Sequence, residues 1–213
     1  MRKLKVIIAV MINFIFFIML FNSSTLAATD EYKAFIALDR SKYSYDINAI
    51  SIASKTFQKL GYINLSDSLY EVTNSAAYVK NYMAGTGKNY GLITLSHGDT
   101  GAFTLGEKNG TTQWVPASEV GGYWHLVAIN SCNSMADDSF AKALHTVGYS
   151  KRASLGWYKT VTNVGVAEWW GYFYDVAGTK NLREAALEAA SKCTQSTPIR
   201  IYGDKNNWNG MAW

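Results

Sequence analysis

Apolar residues recur along this chain in two alternating rhythms. Residues 33–38 (Lys-Ala-Phe-Ile-Ala-Leu) are a short apolar run of buried-strand length. From Asp46, a good helix N-cap, apolar residues fall at Ile47, Ile50, Ala53, Phe57 and Leu60, and Gly61 closes the pattern as a helix-terminating glycine does. Residues 62–65 suit a second strand. Residues 72–83 carry Ala76, Ala77, Val79 and Met83 at helical spacing, and residues 91–96 make a third, β-branched strand. The second half repeats the alternation: a strand at 124–130, a helix through Phe140, Ala143, Leu144 and Val147 with Gly148 beyond it, and a strand at 153–157. Helical patterns at 166–177 and 182–193 follow, then a last strand at 199–202. Strands alternating with helices predict an α/β fold, with parallel βαβ units and helices on both faces of one sheet. In such sheets ligands bind beyond the carboxyl ends of the strands.

The first residues follow neither rhythm. Arg2, Lys3 and Lys5 precede an apolar run from Val6 to Phe21, broken only by Asn13, and small residues at Thr25 and Ala27 prepare a cut before Ala28. A basic start, a short apolar stretch and a small-residue cleavage site make a secretory signal peptide over residues 1–27, leaving residues 28–213 as a single domain. An uncleaved anchor is the alternative, although the run is short for a span of about 20 residues. The chain has 20 basic and 16 acidic residues; removing residues 1–27 leaves 17 basic ones and a nearly neutral protein. The apparent basicity is therefore a targeting signal and gives no reason to expect a nucleic-acid partner, nor a membrane partner after signal cleavage. Only 2 prolines and 17% charged residues exclude a disordered chain, and 2 cysteines are too few for a disulfide scaffold or a four-thiolate metal site.

Two strands end in capable chemistry. Residues 91–96 run into His97-Gly98-Asp99-Thr100-Gly101, and residues 124–130 run into Ser131-Cys132-Asn133-Ser134-Met135. If these strands are parallel neighbours, an imidazole and a thiol emerge at one sheet edge, the minimum for acyl transfer through a thioester. The N–H groups of Gly98 and Cys132 are candidates for an oxyanion hole, with glycine allowing the close approach.

On these residues, Ser96-His97-Gly98 after one apolar strand and Ser131-Cys132 after another about 35 residues later, the chain resembles the caspase-like (clan CD) cysteine peptidases: legumains, clostripain, gingipains and caspases. Asn130-Ser131-Cys132-Asn133-Ser134-Met135 is similar to a legumain-type cysteine loop, and Leu155-Gly156-Trp157 and Ile201-Tyr202-Gly203-Asp204 echo later family segments. The resemblance implies a three-layer αβα sandwich with a mostly parallel sheet. It also implies a cysteine endopeptidase with Cys132 as nucleophile, His97 as proton donor, and Gly98 and Cys132 as oxyanion donors, while the signal-peptide pattern and compact size fit a secreted bacterial protein. Its partner would be a peptide or protein substrate, and no metal or cofactor is needed. Ser131 departs from the alanine common before the caspase cysteine. The segment Trp157-Tyr158-Lys159 is the expected pocket wall. An acid such as Asp99, Asp137 or Glu168 there would select basic side chains, whereas Lys159 would favour acidic ones.

Other readings of the same residues stay open. Cys132 and Cys193 are the only two cysteines, and an exported protein can join them in a disulfide that would remove the nucleophile. His97, Cys132, His125 and His145 offer zinc ligands, though none at finger-like spacing. Cys193 lies on an apolar stripe and reads as core, and Asp137 and Asp138 suit the start of the following helix. Trp169, Trp170, Phe173 and Tyr174 share a helix that is not expected to bury all four. Most of these read as core and helix–sheet packing, whereas Trp208 and Trp213 with Asn206, Asn207 and Asn209 support an alternative class: an inactive, caspase-like secreted module that binds protein or carbohydrate surfaces.

Overall fold

A computed structural model of the protein describes residues 33–38, 47–64, 76–85 and 90–206. The signal-peptide segment, Asp46, Leu65, residues 72–75, Asn207, Trp208, Asn209 and Trp213 lie outside the described residues. Strands β1 (Lys33–Leu38), β2 (Ile63–Asn64), β3 (Tyr90–Leu95), β7 (Trp124–Asn130), β8 (Ala153–Trp157) and β9 (Ile199–Gly203) form a 6-stranded sheet in the order β2-β1-β3-β7-β8-β9. All neighbours are parallel except β8 and β9, which are antiparallel. The final strand thus departs from the parallel units expected.

Period-2 alternation sends side chains of each central strand into two separate cores. Ile93, Leu95, Leu126, Ala128, Leu155 and Trp157 face helices α1 (Ile47–Lys59), α4 (Asn163–Val176) and α5 (Leu182–Lys192). Leu92, Val127 and Ile129 face α2 (Ala76–Gly85) and the short α3 (Ser139–Ala143). Helices therefore cover both faces of the sheet, an α/β architecture compatible with a sandwich. Strands buried on both sides are nearly continuously apolar, and so β7 and β8 are segments that sequence delimits sharply. No described helix is long and apolar enough to cross a membrane.

Helix α1 ends as its sequence requires. Gly61 takes φ 94°, its N–H bonds the Gln58 carbonyl, and the Tyr62 N–H bonds the Phe57 carbonyl. The Phe57 and Tyr62 rings then meet at 5.0 Å, the apolar contact that accompanies this closure. Helix α4 starts three residues before its apolar pattern because the Thr162 hydroxyl accepts from the Gly165 N–H at 3.0 Å. Helix α5 is capped by Asn181, whose side chain accepts from the Glu184 N–H at 2.9 Å. Trp169, Trp170 and Phe173 all enter the core, leaving only Tyr174 of that aromatic group exposed.

Two segments differ from the sequence reading. The helix expected through Val147 stops at Ala143: His145 takes φ 51°, its Nδ1 lies 2.8 Å from the Gly122 carbonyl oxygen, and its ring stacks on Tyr123 at 4.3 Å. Contacts made across the fold thus override the local period, and Val147 is exposed. Residues 98–116, for which no strands were expected, form a 3-stranded antiparallel sheet of β4 (Gly98–Asp99), β5 (Ala102–Lys108) and β6 (Thr111–Pro116). Its turn is Asn109-Gly110, with φ of 51° and 76°, as a two-residue hairpin of the favoured hand requires. Phe103, Leu105 and Val115 pack it onto the α2–α3 side of the main sheet.

Candidate active site at the β3 and β7 strand ends

Strands β3 and β7 lie side by side in parallel, with Leu95 opposite Asn130. The ladder runs one residue further, since the Ser96 N–H donates to the Asn130 carbonyl at 3.2 Å. His97 and Cys132 each lie two residues beyond that register pair, so both leave the sheet at the same edge. The Asn130 side chain, itself buried, ties this edge to the rest of the fold. Its Nδ2 donates to the Thr94 carbonyl at 2.8 Å, and its Oδ1 accepts from Trp170 Nε1 at 3.0 Å.

Gly98 brings the two segments into contact. A Cβ on Gly98 would lie 2.6 Å from both the Cβ and the Oγ of Ser131 and 2.8 Å from the Ala102 carbonyl oxygen. Glycine is thus required here by close packing of the histidine turn on the residue before Cys132. Opposite Phe103, Gly98 occupies a non-hydrogen-bonded position of the β4–β5 ladder, as the flanking Thr104 N–H to His97 carbonyl bond of 2.9 Å shows. Its N–H therefore lies outside that ladder, on the strand's other edge. His97 is exposed and Cys132 half-buried. Three hydroxyls, of Thr94, Ser96 and Ser131, are buried beneath this turn without a hydrogen-bond partner among the described residues.

The Cys132 loop is a tight, cross-braced turn. Asn133 takes φ 56°, a conformation asparagine tolerates better than most residues. The Ser134 N–H bonds the Ser131 carbonyl at 3.3 Å, and the Ser134 hydroxyl bonds the Ile129 carbonyl at 2.9 Å. On its other side the loop is stitched to the segment after β8. The Met135 N–H bonds the Trp157 carbonyl at 3.0 Å, the Asn133 N–H bonds the Lys159 carbonyl at 3.3 Å, and Cys132 Sγ lies 3.5 Å from the Val161 carbonyl oxygen.

Residues 157–159, the segment expected as a pocket wall, thus run beside the Cys132 loop, but the Trp157 ring does not face it. Its side chain is 0% exposed and packs edge-on against Trp169 at 5.5 Å. The strand's own alternation explains this, because Ala153, Leu155 and Trp157 share one face and that face is core. Tyr158 and Lys159 remain at the surface, half-buried and exposed respectively.

The competing roles resolve individually. Cys132 and Cys193 are both free thiols and form no disulfide. Cys193 caps the C-terminus of α5, packs on the core and bonds the Ala189 carbonyl at 3.3 Å; burial raises its thiol above the ordinary value. His125 sits at the opposite, amino end of β7 with its Nδ1 2.5 Å from the Tyr62 hydroxyl, and His145 is held by Gly122, so neither joins His97 and Cys132 at a metal site. Among the described residues no group of three or more metal-ligating side chains converges.

The candidate acids are occupied locally. The Glu168 carboxylate accepts from the hydroxyl and N–H of Thr194, at 2.6 and 2.8 Å, and these bonds lower its pKa. Asp137 accepts from the Ser139 N–H at 2.9 Å, and its hydrogen bonds to Ser139 hold its carboxyl low. Asp138, the N-cap residue of α3, makes no side-chain cap bond and instead pairs with Lys142 at 2.9 Å. Asp99 is exposed and accepts from the Thr100 N–H at 2.7 Å in the β4–β5 turn. What sequence reasoning missed is Arg200. Its Nη1 donates to the carbonyls of Ala136 at 2.6 Å and Met135 at 3.3 Å, bracing the far end of the Cys132 loop. No known family's sequence model matches the chain, and no curated protein matches it.

Proposed function

We propose that the chain is an exported cysteine endopeptidase of the caspase-like type, with Cys132 as nucleophile and His97 as its acid–base partner. The observation that supports this most is the shared sheet edge: His97 and Cys132 follow neighbouring parallel strands at equivalent positions, with Gly98 packed on Ser131 between them. The 6-stranded sheet covered on both faces is the scaffold such a site needs, and the three-layer caspase-like arrangement is part of the same proposal.

The chemistry runs in two halves. The Cys132 thiolate adds to the scissile carbonyl, forming a C–S bond, and the N–H groups of Gly98 and Cys132 stabilise the resulting oxyanion. Collapse breaks the C–N bond, and the His97 imidazolium gives the amine its proton. A water then loses a proton to His97 as it attacks the thioester, and breaking the C–S bond releases the carboxylic acid and restores the Cys132 thiolate and His97 imidazolium.

Alkylation of the folded protein separates this reading from an inert fold, because its two thiols differ in surroundings. Iodoacetamide at neutral pH is expected to label Cys132 at least about tenfold faster than the buried-side Cys193, since reactive thiols are activated and accessible. Mass spectrometry of tryptic peptides reads the ratio, and His97→Ala is expected to reduce it. Equal rates at the two thiols, unaffected by His97→Ala, would contradict the dyad.

A further inference from the structure

Lys159 and Arg200 bracket one ring beside the Cys132 loop. The Arg200 guanidinium carbon is 4.7 Å and Lys159 Nζ 5.7 Å from the centroid of Tyr158. The main chain of Lys159 accepts from Asn133, the residue after Cys132, and Arg200 donates to the loop carbonyls of Met135 and Ala136. The Tyr158 N–H bonds the Pro198 carbonyl at 3.0 Å, which fixes this ring between the ends of β8 and β9. Two positive charges therefore sit on the rim of the cysteine loop.

Among the described residues neither charge is paired with a carboxylate. Ion pairs among the described residues join Lys80 to Glu119, Lys142 to Asp138, and Lys180 and Lys192 to Glu188; none includes Lys159 or Arg200. Asp137, which follows the Ala136 that Arg200 bonds, accepts from the Ser139 N–H, and Glu168 of α4 is committed to Thr194 and Gln195. The hydrogen bonds of Arg200 to Met135, Ala136 and the Tyr202 hydroxyl all use Nη1. A guanidinium has five N–H donors, so its Nη2 and Nε edges keep donors in the geometry that pairs with a carboxylate.

Uncompensated cations beside a nucleophile attract the opposite charge and repel their own, and that discrimination is a specificity device. We propose that the site takes a substrate with a carboxylate side chain, aspartate or glutamate, on the acyl side of the cleaved bond, held by Lys159 and Arg200. The proposal rests on the peptidase reading for its chemistry. The pocket itself is tested separately from turnover.

The full-length protein is given peptides identical except for Asp, Glu, Asn, Gln, Arg or Leu on the acyl side. The expected result is a kcat/KM at least about tenfold higher for an acid than for its amide isostere, a ratio that shrinks as salt screens the exposed charge. Lys159→Glu is expected to erase the ratio. The Cys132→Ala protein is titrated calorimetrically with the same peptides. If no peptide is cut, yet the Asp peptide binds Cys132→Ala at least about tenfold tighter than the Asn peptide and Lys159→Glu removes the difference, the acidic pocket stands while the peptidase reading falls. Equal affinity and equal turnover for Asp and Asn peptides, or an acid preference that Lys159→Glu leaves intact, overturns the proposal.

Discussion

Gly98→Ala is expected to lower peptide turnover by about two orders of magnitude, because a displacement near 1 Å in catalytic geometry costs that much. The cause is steric. The added methyl carbon would meet the Ser131 side chain at 2.6 Å and the Ala102 carbonyl at 2.8 Å, both far inside van der Waals contact. Neither neighbour is the loose end of a flexible side chain. The Ser131 Cβ is fixed at the end of β7, and the Ala102 carbonyl belongs to β5, so the turn carrying His97 must move instead. Overpacking of this kind costs about 1–3 kcal/mol of stability, read as a lower urea midpoint. Adding Ser131→Gly removes the first collision but not the second, and is expected to restore part of both losses. Parental stability and turnover in Gly98→Ala would show that the two strand ends are not packed as described.

The second large effect concerns pH and a residue remote from the chemistry. His125 is buried beside Tyr62, and burial, reinforced by the charges of Arg152 and Lys151, lowers its pKa from 6.5 to about 4. The unfolded chain takes up this proton first as pH falls, so it gains stability relative to the fold. Stability is therefore complete above about pH 6.5 and is lost as pH falls toward 4, by about 3 kcal/mol over that window. Urea midpoints of the parent and of His125→Gln, measured from pH 7 down to about pH 4.5, test this. The variant is expected to start less stable, having lost the Tyr62 partner, but to decline less steeply over this interval. Parallel slopes would assign the acid sensitivity to other groups.

How much of this was legible in the sequence depends on which forces act locally. Strands β7 and β8 matched their largely apolar runs because burial on both faces favours apolar residues at nearly every position. The β4–β6 hairpin did not, because a register shift between Thr104 and Glu107, around Gly106, breaks the alternation of Phe103 and Leu105. Its Asn109-Gly110 turn was the available signal. The helix through Val147 failed for the opposite reason, since its period continues in sequence while His145 is captured by Gly122 and Tyr123.

The site divides in the same way. That His97 and Cys132 end neighbouring strands follows from order and spacing. That Trp157 is core follows from parity within β8, a signal present in the sequence but outweighed by its place beside the expected pocket. The contact of Gly98 with Ser131 and the bracing of the loop by Arg200 join residues more than 30 and 60 positions apart. No local pattern reveals either. The rival disulfide reading is likewise answered by tertiary placement, with Cys132 on a loop at the sheet edge and Cys193 at the end of α5, both free.

The central claim is that Cys132 and His97 act together to cut peptide bonds. The most direct measurement is a map of new peptide termini after incubating a whole-proteome digest with the purified protein under reducing conditions, with Cys132→Ala and His97→Ala in parallel. The account predicts new termini sharing one residue class on the acyl side, absent with Cys132→Ala and reduced at least about a thousandfold with His97→Ala, as the loss of a nucleophile or its acid–base partner requires. A digest left uncut by the parent protein, or cut equally by both variants, would contradict it.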